Sequence, residues 1–165
     1  MKRRTLIMWG VAALALVVTN LLIVQKERLL AAPQGILLEL APVDPRSLIQ
    51  GDYMALAYAI AREAPVPGLP ADGHLVVAVG ADTVARYLRV YAPPSPLAPG
   101  ELLLRYRIRN GRLHIGSESF FFQEGTAAAY ETARYAELRV DSSGESLIVG
   151  LRGPDHEVLG APRQP

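Results

Sequence analysis

The sequence predicts a mainly β domain, a β-sandwich or partly open barrel with one short helix, preceded by an N-terminal transmembrane helix. Three observations predict it. Residues 6–24 form one uncharged apolar run. From residue 35 the dominant hydrophobic period is two, the period of a strand with one buried face. Turn dipeptides and proline clusters then break the chain between these segments. With 165 residues, half of them hydrophobic, the chain has room for one ordinary domain and material for its core.

The apolar run comes first. Its 19 residues span about 28 Å as a helix, close to the thickness of a bilayer's hydrocarbon. Lys2, Arg3 and Arg4 precede it, Trp9 lies near its first end, and Lys26, Glu27 and Arg28 follow it. A cleaved signal peptide is the rival reading, but its apolar core is shorter and ends at a small-x-small site. Here the only such site is Leu30-Ala31-Ala32, with a large residue where a small one is needed. We therefore expect an uncleaved anchor. Three basic residues before the run against two after it favour a cytoplasmic N-terminus and a domain outside the cytoplasm. Thr19 and Asn20 are the polar pair of the span, tolerable near its outer end. The expected organisation is a tail (1–5), the anchor (6–24), a juxtamembrane linker (25–33), the β domain (34–152) and a flexible tail (153–165).

The strands follow in order. Ile36, Leu38 and Leu40 suggest the first, and residues 53–60 another. Leu75, Val77 and Val79, a turn near Gly80-Ala81-Asp82, then Leu88 and Val90 suggest a hairpin. Leu102, Leu104, Tyr106 and Ile108 alternate with Leu103, Arg105, Arg107 and Arg109, a strand with one wet face. Asn110-Gly111 is a strong hairpin signal, and Leu113-His114-Ile115 returns. Ala136, Leu138 and Val140, the turn Ser142-Ser143-Gly144, and Leu147, Val149 and Leu151 give a last hairpin. About nine strands result. The one soluble helix is expected over residues 127–134, capped by Thr126.

Charge and residue type exclude several functions. The chain has no cysteine, which removes thiol catalysis, disulfides and cysteine-ligated zinc. Residues 29–165 hold twelve basic and fifteen acidic side chains, a balance that argues against nucleic acid as a partner. His74, His114 and His156 lie in separate segments without metal-ligand spacing, so no metal and no cofactor are expected.

The segment Pro42-Val43-Asp44-Pro45-Arg46-Ser47-Leu48-Ile49-Gln50-Gly51-Asp52-Tyr53 joins two expected strands. Pro42 and Pro45 keep the residues before them extended, Asp44 can accept backbone N–H groups in a turn, and Gly51 can take positive φ. From Asp52 the period of two places Asp52, Met54, Leu56, Tyr58 and Ile60 on one face, with Tyr53 on the other.

Gly51-Asp52-Tyr53-Met54-Ala55-Leu56-Ala57-Tyr58 fills a GDYxxLxY pattern at every fixed position. The chain resembles the uncharacterised bacterial family named for that motif. The preceding Pro-Val-Asp-Pro-Arg, and Phe120-Phe121-Phe122-Gln123-Glu124-Gly125 followed by Tyr130-Glu131, resemble it too. Phe122-Gln123 departs from the Val-Pro common at that turn. The similarity runs from about residue 34 to about 152. It implies membrane association in company with multi-spanning membrane proteins, and it implies no catalytic residue.

A serine peptidase of the signal-peptidase type is the tempting enzyme reading. It needs a serine eight residues before the glycine, where this chain has Val43, and a lysine base, yet Lys2 and Lys26 flank the anchor. A hydrolase using Asp44 and Asp52 as acid and base remains a second reading, and a small-ligand or lipid-binding module a third. The leading expectation is an accessory or interaction subunit in the bacterial cytoplasmic membrane. Its partners would be the lipid bilayer and an integral membrane protein. Its contact surface would comprise Asp44, Arg46, Gly51, Asp52, Tyr53, Leu56, Tyr58, Gln123 and Glu124. Arg105, Arg107 and Arg109 form a basic stripe whose default role is a solvated sheet face, with anionic lipid or an acidic partner as the alternative.

Overall fold

The computed structural model of the chain describes residues 2–30, 34–41, 49–50 and 53–160. The first element is a helix, α1 (Lys2–Leu30), which continues through most of the expected linker. Its stretch Arg3–Val24 has a mean hydropathy of 2.4 and none of it is covered by the domain. It is long and apolar enough to cross a membrane. Thr19 Oγ1 and Asn20 Nδ2 each donate to the carbonyl four residues back, Ala15 at 2.9 Å and Leu16 at 2.8 Å. Each polar side chain thus places one donor on its own helix, which lowers the cost of an apolar surrounding.

The rest is mainly β, as expected. Eleven strands occur among the described residues: β1 (Gln34–Glu39), β2 (Ile49–Gln50), β3 (Tyr53–Ala55), β4 (Asp72–Val79), β5 (Ala85–Val90), β6 (Glu101–Arg109), β7 (Arg112–Ile115), β8 (Ser119–Phe121), β9 (Tyr135–Val140), β10 (Ser146–Arg152) and β11 (Val158–Leu159). They form three sheets, ordered β1-β9-β10-β11, β2-β3-β8 and β5-β4-β6-β7. A parallel bridge, Leu37 to Val84, joins the first sheet to the third, and an antiparallel bridge, Leu40 to Tyr58, leads from β1 toward the second. All three sheets wrap one core, in the manner of a partly open barrel. Ile36 and Leu38, Met54, Leu75 and Val77, Leu104 and Tyr106, Phe120, and Ala136 and Leu138 all contribute to it.

Local chemistry explains several elements. Asn110 and Gly111 take φ of 51° and 70°, the paired positive values of the two-residue hairpin turn, and Arg109 faces Arg112 across it. In the β9–β10 turn, Asp141 Oδ1 accepts from the Ser143 N–H at 2.8 Å and the Glu145 N–H at 3.1 Å. That turn then docks on the third sheet, where the Arg105 N–H donates to the Gly144 carbonyl at 2.8 Å. It covers β6 just beyond the point where its pairing with β7 stops.

Four expectations need correction. The strand expected over residues 53–60 stops at Ala55, and a single helical turn, α2 (Ile60–Glu63), follows the bridge at Tyr58. The helix expected over 127–134 is only a 3₁₀ turn, Ala127–Tyr130. Thr126 does not cap it; its hydroxyl donates backward to the Gln123 carbonyl at 2.7 Å. Three alanines cannot repay the cost of nucleating a longer helix, whereas Tyr130 gains a place against Phe120 and Phe122. In β10 the pairing slips between Ile148 and Gly150, so Val149 is a bulge and Ile148 and Leu151 are the buried residues. Finally, residues 153–160 are ordered against the domain. Gly153 N–H donates to the Glu157 carbonyl at 3.0 Å, and β11 pairs with β10. The His156 ring stands edge-on to Tyr135 at 4.7 Å.

Candidate functional site: the motif strand and a basic groove

Burial alternates along residues 53–60 even though the strand itself ends at Ala55. Met54, Leu56, Tyr58 and Ile60 are buried in the core. Leu56 and Tyr58, expected on a contact surface, are buried side chains. The Tyr58 hydroxyl donates to the Ser117 carbonyl at 2.7 Å, in the loop between β7 and β8. Burial pushes its phenol upward from the usual range, and the nearby Glu118 carboxylate adds to the shift. Tyr58 is thus a neutral donor at physiological pH.

Tyr53 points outward. It faces Phe121 across β3 and β8, with ring centroids 5.7 Å apart. Phe121 is 64% exposed, while Phe120 is buried on the opposite face. Phe120 and Phe122 both pack on Tyr130, edge-on at 5.4 Å and stacked at 5.1 Å. Three consecutive phenylalanines thus put one ring outside and two around Tyr130. Gln123 and Glu124 are exposed in the turn that follows. The structure brings Tyr53 beside β8, whose next turn holds Gln123 and Glu124. Asp44, Arg46, Gly51 and Asp52 lie outside the described residues, and so does the carboxylate pair of the hydrolase reading.

The basic stripe acquires a context that sequence reading missed. A groove of about 420 Å³ lies between the end of α1 and the outer face of β6 and β7. Lys26, Arg105, Arg107, Arg109 and His114 line it, with the loop Gly116-Ser117-Glu118 and with Glu145, Ser146 and Leu147. Arg105 is fixed there by two carboxylates, Asp72 at 2.7 Å from its Nη2 and Glu145 at its Nη1. These partners hold its guanidinium well above its ordinary pKa, Asp72 contributing most. His114 Nδ1 contacts Glu118. Lys26, Arg107 and Arg109 have no ion pair among the described residues. Gly116 sits at φ 55°, and a Cβ there would stand 2.8 Å from Ser146 Oγ, so conformation and space both favour glycine where this loop closes on β10. The alternation of the arginines was legible in the sequence. The approach of Lys26, about eighty residues away in the chain, was not.

Among the described residues no group of three or more histidine, aspartate or glutamate side chains could hold a metal ion.

A family model for the GDYXXLXY protein matches residues 15–151. The chain belongs to the GDYXXLXY family. The match begins within α1 and ends in β10, so it takes in the second half of the apolar span and most of the β domain. No curated protein and no solved structure matches this GDYXXLXY chain.

Within the motif, the structure divides the fixed positions it describes. Leu56 and Tyr58 serve the core, and Tyr53 serves the outer face beside Phe121.

Proposed function

We propose that this GDYXXLXY protein is a non-enzymatic accessory subunit of the bacterial cytoplasmic membrane. Helix α1 anchors it with the N-terminus in the cytoplasm and the β domain outside. Its β3–β8 face contacts an integral membrane protein. The observation that carries this reading is the exposed Phe121, held beside Tyr53 on a domain whose first helix is apolar throughout its span. An aromatic pair on a rigid sheet presents apolar area at little entropic cost, the property of an interface anchor. An anchored domain meets its partner in two dimensions, which raises the effective concentration and lets a small face suffice. Gln123 and Glu124, exposed in the turn after β8, would supply polar contacts at the rim.

Co-purification from native membranes in mild detergent, with a C-terminal tag, tests it. A multi-spanning protein recovered in fixed stoichiometry is expected, and Phe121→Ala should reduce its recovery while the domain stays folded. A folded protein recovered alone from the membrane fraction would remove the accessory role.

A further inference from the structure

We infer that the groove between α1 and the β6–β7 face binds the phosphate of an anionic phospholipid headgroup. This rests on the reading of α1 as a membrane anchor, and it adds a site on the opposite chemistry from the aromatic β3–β8 face.

Charge supplies the first observation. Arg109 faces Arg112 across β6 and β7. Like charges directly opposite each other destabilise a sheet unless an anion relieves them. Asp72 faces Arg107 across β4, but its carboxylate is taken in both oxygens by Arg105, at 3.1 and 2.7 Å. Glu145 also goes to Arg105, and Glu118 goes to His114. The two carboxylates lining the groove are thus engaged, and Lys26, Arg107 and Arg109 form no ion pair with a described residue, although Asp72 acts on Arg107 at longer range. An arginine pair with a lysine is a donor set suited to phosphate oxygens.

Shape supplies the second. The groove has a rigid wall on each side. Arg105 is pinned by its two carboxylates, and the Gly116-Ser117-Glu118 loop is held from beneath by the Tyr58 hydroxyl. Its volume of about 420 Å³ accommodates a headgroup.

Position supplies the third and selects the source of the phosphate. Lys26 is two residues past Val24, where the apolar stretch of α1 ends. With α1 across a bilayer, the groove opens at the level where headgroups lie, and basic side chains there attract anionic lipid.

The test uses the full chain reconstituted in nanodiscs of equimolar phosphatidylcholine and phosphatidylglycerol. Lipids retained on release are counted by native mass spectrometry. Retention should favour phosphatidylglycerol, and each of Arg107→Gln and Arg109→Gln should lower that preference about fivefold. Both residues are exposed and without ion pairs among the described residues, so the variants keep the fold, which circular dichroism verifies. Lys26→Gln gives a second variant away from the sheet. A parallel arm titrates inorganic phosphate into the chain in pure phosphatidylcholine discs. Arginine-dependent phosphate binding without lipid preference would assign the groove to a soluble phosphate compound and overturn the lipid assignment. Equal retention of both lipids by the wild type and the variants, with no phosphate binding, would overturn the site while leaving the anchor intact. A chain that fails to enter the discs at all would overturn the anchor, and the site with it.

Discussion

Tyr58 and Ser117, 59 residues apart, are joined by a 2.7 Å hydrogen bond that runs from the core to the floor of the groove. The last tyrosine of the family motif therefore holds the β7–β8 loop from within, and the other side of that loop lines the basic groove. Tyr58→Phe deletes one buried hydrogen bond and should cost about 1 kcal/mol by urea denaturation. Leu56→Ala opens a cavity in the same core and should cost about 2–5 kcal/mol. Equal, near-zero losses would show that the motif's inner face does not support the fold.

The outer face of the motif should behave in the opposite way. Phe121 is exposed and meets Tyr53 across the strand pair, a contact worth about 0.2–1 kcal/mol. Phe121→Ala should therefore leave thermal stability almost unchanged while lowering partner recovery. A large fall in melting temperature would place Phe121 among the structural residues instead.

Acid should loosen the third sheet through two carboxylates. The Arg89 guanidinium, with help from the Ala98 N–H, holds the Glu101 carboxyl down at about 2. Arg86 and the Val84 N–H do the same for Asp82, also at about 2. Because both values are depressed on folding, their stabilisation is complete above the ordinary carboxylate range. It is lost as pH falls from about 4.5 toward 2. Melting temperatures between about pH 5 and pH 2.5 should fall less steeply for the double variant Glu101→Gln, Asp82→Asn than for the wild type. Parallel curves would show that these ion pairs do not carry the acid response.

Gly116→Ala should damage the groove more than any exposed substitution in it. The new methyl meets Ser146 Oγ at 2.8 Å on a backbone at φ 55°, so both packing and conformation oppose it. Adding Ser146→Gly removes the contact but leaves the backbone strain. The double variant should recover only part of the lost stability, and full recovery would show that the positive φ costs nothing here.

Much of the fold was readable because its signals are local. Asn110-Gly111 states its turn in two residues, and Leu104 and Tyr106 alternate with arginines without interruption. The same reading misplaced Val149, since a bulge shifts the phase midway through β10 and leaves no mark in the hydrophobic pattern. A bulge in β5 likewise leaves Leu88 exposed, 46%, although it is as apolar as a core residue. The motif's two faces were legible from the period of two at Tyr53, Leu56 and Tyr58. The groove was not, because it depends on Lys26, Arg107 and Ser146 meeting from three separate parts of the chain. Nor was the ordering of residues 153–160, which follows from tertiary contacts of His156 and Leu159 that outweigh a glycine- and proline-containing composition.

The most direct test of the accessory role is site-specific photo-crosslinking in native membranes. A photoreactive phenylalanine analogue would replace Phe121, with Leu97 in the β5–β6 loop as the control position. The account predicts one discrete adduct with a multi-spanning membrane protein from position 121, and none from position 97. No adduct from position 121, or the same diffuse adducts from both positions, would contradict it.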